Sequence, residues 1–146
     1  MVMVLEFQVV VDSAEPHVLA GWWAETLGWG VEPQDEGFIR RMVAEGHAGE
    51  ADTVVHEGAL VWRAGAAIRH PEGLGRAPRV LFQLVAEVKS VKNRMHLDVK
   101  AGAEGVDVVA ERLEARGARF LYRGRQGPSS WVTMADPEGN EFCVHS

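Results

Sequence analysis

The sequence has a single cysteine, Cys143, among 146 residues. One thiol cannot build an internal disulfide framework, which favours a protein of the reducing cytoplasm. Basic residues are also in the minority, because 15 Lys and Arg stand against 21 Asp and Glu and give a net charge of -6. With no dense basic run, the chain lacks the electrostatic footprint of a nucleic-acid-binding protein. We therefore expect neither a disulfide scaffold nor a nucleic-acid partner.

Long apolar runs are missing too, so no membrane partner is expected. The segment from Met1 to Leu5 is apolar but has no basic leader and no small-residue cleavage site, which favours a strand over a signal peptide. What is present is an ordinary globular composition, with 47% hydrophobic and 25% charged residues. A chain of 146 residues with this composition predicts one domain that buries a core of its own.

The first third of the chain predicts a strand followed by a helix. Residues alternate from Leu5 to Val11, and Gln8 lies on the less apolar face of that predicted strand. Asp12 and Ser13 are suitable N-cap residues for the helix that follows. Its apolar stripe ends at Gly28, which predicts the helix C-terminus.

The next segment predicts extended structure and loops. From Trp29 to Met42 the pattern indicates short extended pieces separated by turns, and Ala44 to Asp52 predicts a loop. Three strands are then expected, the last of which carries a second isolated glutamine, Gln83, in an apolar neighbourhood. These strands are Thr53 to His56, Ala59 to Arg63, and Val80 to Val88.

The second part of the chain repeats the first. The strand predicted from Arg94 to Val99 places His96 at a spacing of 88 residues from Gln8, and Gly117 stands 89 residues after Gly28. Nearly equal spacing in strand and helix indicates an internal repeat, which a single ferredoxin-like sheet does not explain. Three more strands follow the second helix: Phe120 to Tyr122, Trp131 to Met134, and Glu141 to His145.

The predicted fold is therefore α+β, with two tandem βαβββ modules in one domain spanning residues 1–146. Module 1 covers about residues 4–90 and module 2 about residues 93–146. The last two strands are joined by a tight turn from Asp136 to Asn140, where Pro137 and Gly139 suit a hairpin.

Three segments resemble the vicinal oxygen chelate superfamily, and within it the glyoxalase-like domains related to bleomycin-resistance proteins. The resemblance implies that the two modules curl a mixed or antiparallel sheet around a cleft for a small molecule. It also implies a homodimer, and it leaves Pro33 to Asp52 unmatched. The segments are Leu19 to Trp29, Lys92 to Val99, and Ala135 to Cys143.

The same resemblance implies where a metal would bind. Family enzymes place one ligand on the first strand and one on the last strand of each module, and the matching positions here are Gln8, Gln83, His96 and Cys143. His96 fits the pattern, the amide oxygen of Gln8 is acceptable, and Gln83 and Cys143 depart from it. His96 and Gln8 are thus the candidate ligands for Zn, Ni, Mn or Fe, although the departures favour a cleft without metal.

Two functions remain open at this point. One is lyase, isomerase or dioxygenase-like chemistry on a vicinally oxygenated substrate, with His96 as metal ligand or general base and without standard glyoxalase I activity. The other is a metal-free protein that binds or sequesters a small molecule by stacking on Trp62 and Trp131. A nucleophilic Cys143 assisted by His145 is a third, less favoured interpretation.

Overall fold

The computed structural model describes residues 3–146. These residues form two compact units, the first ending at Ala86 and the second running from Glu87 to Ser146. Met1 and Val2, at the start of the predicted opening strand, lie outside the described residues. No helix in residues 3–146 has the length and apolar character to cross a membrane.

The first unit is built on a four-stranded sheet with the order β1-β6-β5-β2. β1 pairs with β6 in parallel, whereas the other neighbours are antiparallel. A separate two-stranded hairpin is formed by β3 and β4. In chain order the elements are β1 (Val9–Ser13), α1 (Pro16–Leu27), β2 (Gly30–Val31), α2 (Glu36–Ala44), β3 (Thr53–His56), β4 (Ala59–Trp62), β5 (Gly65–Arg69) and β6 (Val80–Leu84).

α1 covers one face of this sheet. Its predicted apolar stripe is confirmed, since Leu19, Trp22 and Trp23 are buried, and the helix packs against β5 and β6. Gly28 ends the helix with φ of 69°, a left-handed conformation that glycine adopts without steric cost. The same side of the sheet buries Phe82, so the apolar core of this unit lies between α1 and the sheet.

The second unit repeats this plan with a sheet of order β7-β10-β9-β8. In both units the order is first, last, third and second strand of the module, once α2 and the β3–β4 hairpin are set aside. The predicted tandem βαβββ arrangement is therefore confirmed. The elements are β7 (Asp98–Lys100), α3 (Val106–Ala115), β8 (Arg119–Gln126), β9 (Ser129–Ala135) and β10 (Glu141–His145).

The predicted turn between the last two strands is also confirmed. The backbone N–H of Asp136 donates to the carbonyl of Asn140 at 2.8 Å. The Asp136 carboxylate accepts from the backbone N–H groups of Glu138 and Asn140 at 2.9 and 3.0 Å. The Asp136 side chain therefore pairs with the backbone N–H groups of the turn that connects β9 to β10.

Two predicted strands begin later than their alternation indicates. The first strand starts at Val9 instead of Leu5, because its pairing with β6 begins at Val9 opposite Val80. The strand predicted from Arg94 starts only at Asp98, where pairing with β10 begins. Alternation marks residues suited to a strand, but a strand extends only as far as its partner. Gln8 and His96 consequently precede their strands, and β6 ends at Leu84 instead of Val88.

The prediction of short extended pieces from Trp29 to Met42 holds only for β2, because α2 occupies the second half of that segment, from Glu36 onwards. Asp35 caps the helix by accepting from the backbone N–H of Phe38 at 3.0 Å, and Ile39 is fully buried. Gly37 is tolerated in the first turn of this helix. The third strand of the first module is β5, which the sequence pattern did not predict, whereas β3 and β4 form an additional hairpin.

Candidate functional site

The second sheet has one face that packs on α3 and one that does not, and we call the latter its helix-free face. Val132 and Val144 point to the α3 side and are fully buried, and Arg123 on that side pairs with Asp107 of α3 at 2.7 Å. Directly paired residues share a face, so register defines rows of side chains across the sheet. One row, here called the polar row, consists of Asp98, Cys143, Thr133 and Tyr122.

Three potential metal ligands meet at one end of the polar row. His96, Asp98 and Cys143 each offer a ligand atom, and these atoms lie within 4.8 Å of one another. We call them the His-Asp-Cys cluster. Asp98 pairs directly with Cys143 across the sheet, and His96 precedes Asp98 by two residues, which keeps it on the same face if the extended backbone continues. Imidazole, carboxylate and thiolate are all ligands of Zn²⁺ and related ions.

The three members differ in exposure. His96 Nε2 lies 3.3 Å from Asp98 Oδ1, and the two side chains are 38% and 47% exposed. Cys143 is buried, and its Sγ forms a hydrogen bond of 3.4 Å with Thr133 Oγ1. The cluster therefore combines a buried sulfur with two side chains that solvent reaches.

Two residues at this site, Asp98 and His145, were not among the predicted metal ligands. Asp98 supplies a carboxylate, which the candidate set of Gln8, Gln83, His96 and Cys143 lacks, and its position two residues after His96 was the available signal. His145 had been considered only as a partner of Cys143, yet its Nε2 lies 3.5 Å from Asp98 Oδ2. Its ring also stacks on Trp131, with 5.4 Å between centroids and 23° between planes.

Glu141 shares the face of Cys143 but is engaged elsewhere. Its carboxylate accepts from Lys89 Nζ at 2.9 Å and from the backbone N–H of Asn93 at 3.0 Å. Burial by itself raises the pKa of Glu141, but the hydrogen bonds from Lys89 and Asn93 outweigh it and lower the pKa to about 2. Glu141 thus holds the segment before β7 against β10, and both of its oxygens are occupied.

The other predicted site residues lie in the first unit. Gln8 is exposed and its side-chain oxygen accepts from Arg79 Nη1 at 3.3 Å. Gln83 is exposed on β6, opposite Asp12. Trp62 is half-buried on β4, where its backbone N–H donates to Gln34 at 2.8 Å. Their roles as ligands or stacking residues stay predictions.

A shallow groove in the first unit is lined by residues 30–33 and 69–71. Its acidic group, Glu32, forms ion pairs with Arg69 and with Arg79, the latter at 2.7 Å. The charged groups of this groove are therefore already paired with one another. The His-Asp-Cys cluster is a stronger candidate for a functional site than this groove.

The two tandem βαβββ units share one strand order, and polar residues lie at the first and last strands of a module. These features together define a vicinal oxygen chelate protein. The chain belongs to the glyoxalase-like domain family, whose profile matches residues 8–145. No curated protein matches the sequence.

Solved structures share this fold at low sequence identity. The fosfomycin resistance protein FosX from Listeria monocytogenes superposes with a TM-score of 0.60 at 11% identity, covering 99% of this chain and 93% of that one. Oxidase ChaP-H2 superposes with a TM-score of 0.60 at 12% sequence identity, covering 99% of this chain and 94% of that one. A glyoxylase/bleomycin resistance protein/dioxygenase domain from Frankia sp. superposes with a TM-score of 0.60 at 14% sequence identity, covering 99% of this chain and 92% of that one. At these identities the similarity shows the fold alone.

Proposed function

We propose that this glyoxalase-like protein binds a small oxygen-bearing organic molecule at the His-Asp-Cys cluster, with a divalent metal ion held by His96, Asp98 and Cys143. The observation that carries the proposal is the convergence of three different donor types within 4.8 Å. The reaction class that fits such a centre is lyase or isomerase chemistry on a vicinally oxygenated substrate. The Listeria relative is a fosfomycin resistance protein, so a role in modifying or sequestering a xenobiotic belongs to the same proposal.

The donor set fits the metal that the family implies. One imidazole, one carboxylate and one thiolate are three protein ligands, the number that catalytic zinc sites use while they leave a position for water or substrate. Such an ion polarises a substrate oxygen and lowers the barrier to proton transfer.

Neighbouring residues would position the ligands. Thr133 holds Cys143 Sγ through the hydrogen bond at 3.4 Å. His145 lies beside the Asp98 oxygen that His96 does not approach. Groups of this kind fix the orientation of metal ligands, and their removal typically weakens metal binding by about 10- to 100-fold.

Titration of the metal-free protein with Co²⁺ tests the proposal. We expect one equivalent to bind with a thiolate-to-cobalt charge-transfer band in the near ultraviolet, because Cys143 is the only thiol. The band should be lost in Cys143→Ser, and the affinity should fall at least about tenfold in His96→Ala and Asp98→Asn.

His47→Ala is the matched control, because His47 also lies near a carboxylate, at 3.7 Å from Glu45, but outside the cluster. Its titration should be indistinguishable from that of the unchanged protein. Absence of stoichiometric Co²⁺ binding, or binding that survives all three cluster substitutions, would contradict the metal site.

A metal-free binding protein is the second candidate, and one observation favours it. Within the cluster, Asp98 pairs with His96, while Cys143 is bonded to Thr133. The buried Cys143–Thr133 pair is thus satisfied without an ion, and solvent reaches His96 and Asp98. For this candidate, Co²⁺ would leave the thermal unfolding midpoint unchanged, whereas a small-molecule ligand would raise it.

We also propose a homodimer. Apolar side chains next to the edge strand β1 are largely exposed, with Met3 at 79%, Leu5 at 82% and Phe7 at 75%. Several exposed apolar side chains beside an edge strand are typical of an interface. Light scattering coupled to size exclusion should give twice the chain mass of 16.0 kDa. A monomer at micromolar concentration would contradict this proposal.

A further inference from the structure

A second row of side chains lies beside the polar row on the helix-free face. It contains Lys100, His145, Trp131 and Gly124, each directly paired with the next across β7, β10, β9 and β8. We call it the aromatic row. Every member stands two residues along its strand from a member of the polar row, so the two rows are about 7 Å apart.

Gly124 gives the aromatic row its shape. A Cβ atom at this position would lie 2.1 Å from Cε2 of Trp131, closer than any real contact. The indole therefore lies over the glycine, in space that any other residue on β8 would fill. Trp131 is half-buried in this position, so part of the indole is accessible to solvent.

His145 connects the indole to the His-Asp-Cys cluster. Its ring stacks on Trp131 at 5.4 Å and its Nε2 lies 3.5 Å from Asp98. Lys100, directly opposite His145, is exposed and carries a positive charge on the same face. The row thus offers the accessible part of a stacked indole–imidazole pair with a cation at its end, next to three polar groups.

We propose that the aromatic row is a stacking platform that selects a planar aromatic ligand bearing an anionic, oxygen-rich substituent. The ring would stack on the accessible part of the Trp131–His145 pair, and the substituent would reach the His-Asp-Cys cluster one row away. Aromatic rings favour offset stacking on indole, and an anion favours the end of the row that carries Lys100. This inference rests on the proposed function and specifies its ligand class.

Salicylate and lactate are suitable probes, because both carry a carboxylate beside a hydroxyl and only salicylate has a ring. Binding to the full chain is measured by calorimetry, with and without one equivalent of Co²⁺. Proton NMR reports stacking, since a ring lying over an indole shifts the salicylate ring protons upfield. We expect salicylate to bind at least about tenfold more tightly than lactate, with that upfield shift.

Trp131→Leu should remove both the preference and the upfield shift, while lactate binding stays as before. Gly124→Ala, which displaces the indole without deleting it, should act in the same direction and serves if Trp131→Leu does not fold. Trp29→Leu is the matched control, because Trp29 also contacts a histidine, His70, but edge-on at 68° and in the first unit. Trp29→Leu should leave the binding of both probes and the upfield shift of salicylate unchanged.

Two outcomes separate the inference from the function on which it rests. If salicylate and lactate bind equally and Trp131→Leu affects neither, the stacking platform is wrong while the His-Asp-Cys centre stands. If neither probe binds and Co²⁺ does not bind either, the proposed function fails and the platform fails with it.

Discussion

The two units have the same strand order but differ in the chemistry of their helix-free faces. The spacing that relates Gln8 to His96 aligns Val10 of β1 with Asp98 of β7, and strand register extends the alignment to the neighbouring strands. Where the second unit has a carboxylate, a thiol and a hydroxyl, the first has three aliphatic side chains. The aligned pairs are Val10 with Asp98, Leu81 with Cys143, and Ala67 with Thr133.

The helix sides of the two sheets are alike in character. Phe82 in the first unit and Phe142 in the second are each 1% exposed, and both lie on the face that packs on a helix. Apolar burial on that side stabilises the layer packing and so preserves the topology. The helix-free face packs on no helix of its own unit, so the repeat accommodates polar side chains in one copy and aliphatic side chains in the other.

The largest expected effect tests the shared core. Phe82→Ala and Phe142→Ala should each lower the free energy of unfolding by about 3 to 5 kcal/mol, because each leaves a cavity under a helix. Urea unfolding measures the change. Phe38→Ala and Phe120→Ala, at positions 42% and 44% exposed, are the controls for the two units and should cost less than about 1 kcal/mol. Equal costs for buried and exposed positions would refute the described cores.

The second prediction concerns acid stability in the second unit. Because the folded-state pKa of Glu141 is about 2 against an ordinary 4.5, its contribution is complete above pH 4.5 and is lost as the pH falls towards 2. The shift corresponds to at most about 3 kcal/mol, which solvent screening reduces.

Glu141→Gln should therefore be less stable than the unchanged chain at neutral pH, and the difference should vanish near pH 2. Denaturant unfolding across this pH range measures it. Glu111→Gln, at an exposed position on α3, should show no such pH dependence. A Glu141→Gln deficit that persists unchanged at pH 2 would show that the carboxylate is not held as described.

Sequence patterns predicted the repeated framework because it depends on local signals. The apolar stripe of α1, the glycine at position 28 that ends it, and the turn from Asp136 to Asn140 are each specified by residues close together in the sequence. Strand ends and the role of β5 were missed, because they depend on which distant segment supplies a partner. Small residues such as Ala66 and Ala67 carry little strand propensity, yet both are buried in β5.

The candidate site was predicted in part for the same reason. His96 and Cys143 were identified through family positions, and the structure brings their side chains together. Asp98 was missed as a ligand, since only the β7–β10 register places it directly opposite Cys143. The stacking of His145 on Trp131 and the space over Gly124 depend on three paired strands, and no sequence window contains all of them.

The third prediction contrasts two glycines, one in each sheet. A Cβ at Gly65 would lie 2.7 Å from the backbone carbonyl of Phe82, whereas at Gly124 the three nearest atoms all belong to the Trp131 ring. Gly65→Ala should cost about 1 to 3 kcal/mol because backbone must shift, and Gly124→Ala should cost less because a side chain can rotate. Only Gly124→Ala should change the near-ultraviolet circular dichroism of tryptophan. The reverse order of costs would contradict the description of the aromatic row.

The smallest expected effect decides whether the first unit contributes to metal binding. Gln8 is bonded to Arg79, and Gln83 lies opposite Asp12. Among residues 3–146 the His-Asp-Cys cluster, in the second unit, is the only group of three metal-ligand side chains. Gln8→Ala and Gln83→Ala should therefore change Co²⁺ affinity by no more than about twofold, since a neutral amide adds little beside a thiolate and a carboxylate. The Co²⁺ titration used for the cluster variants measures both. A tenfold loss in either variant would mean that the asymmetry between the units is incomplete, and that the glutamine positions implied by the family resemblance belong to the metal shell after all.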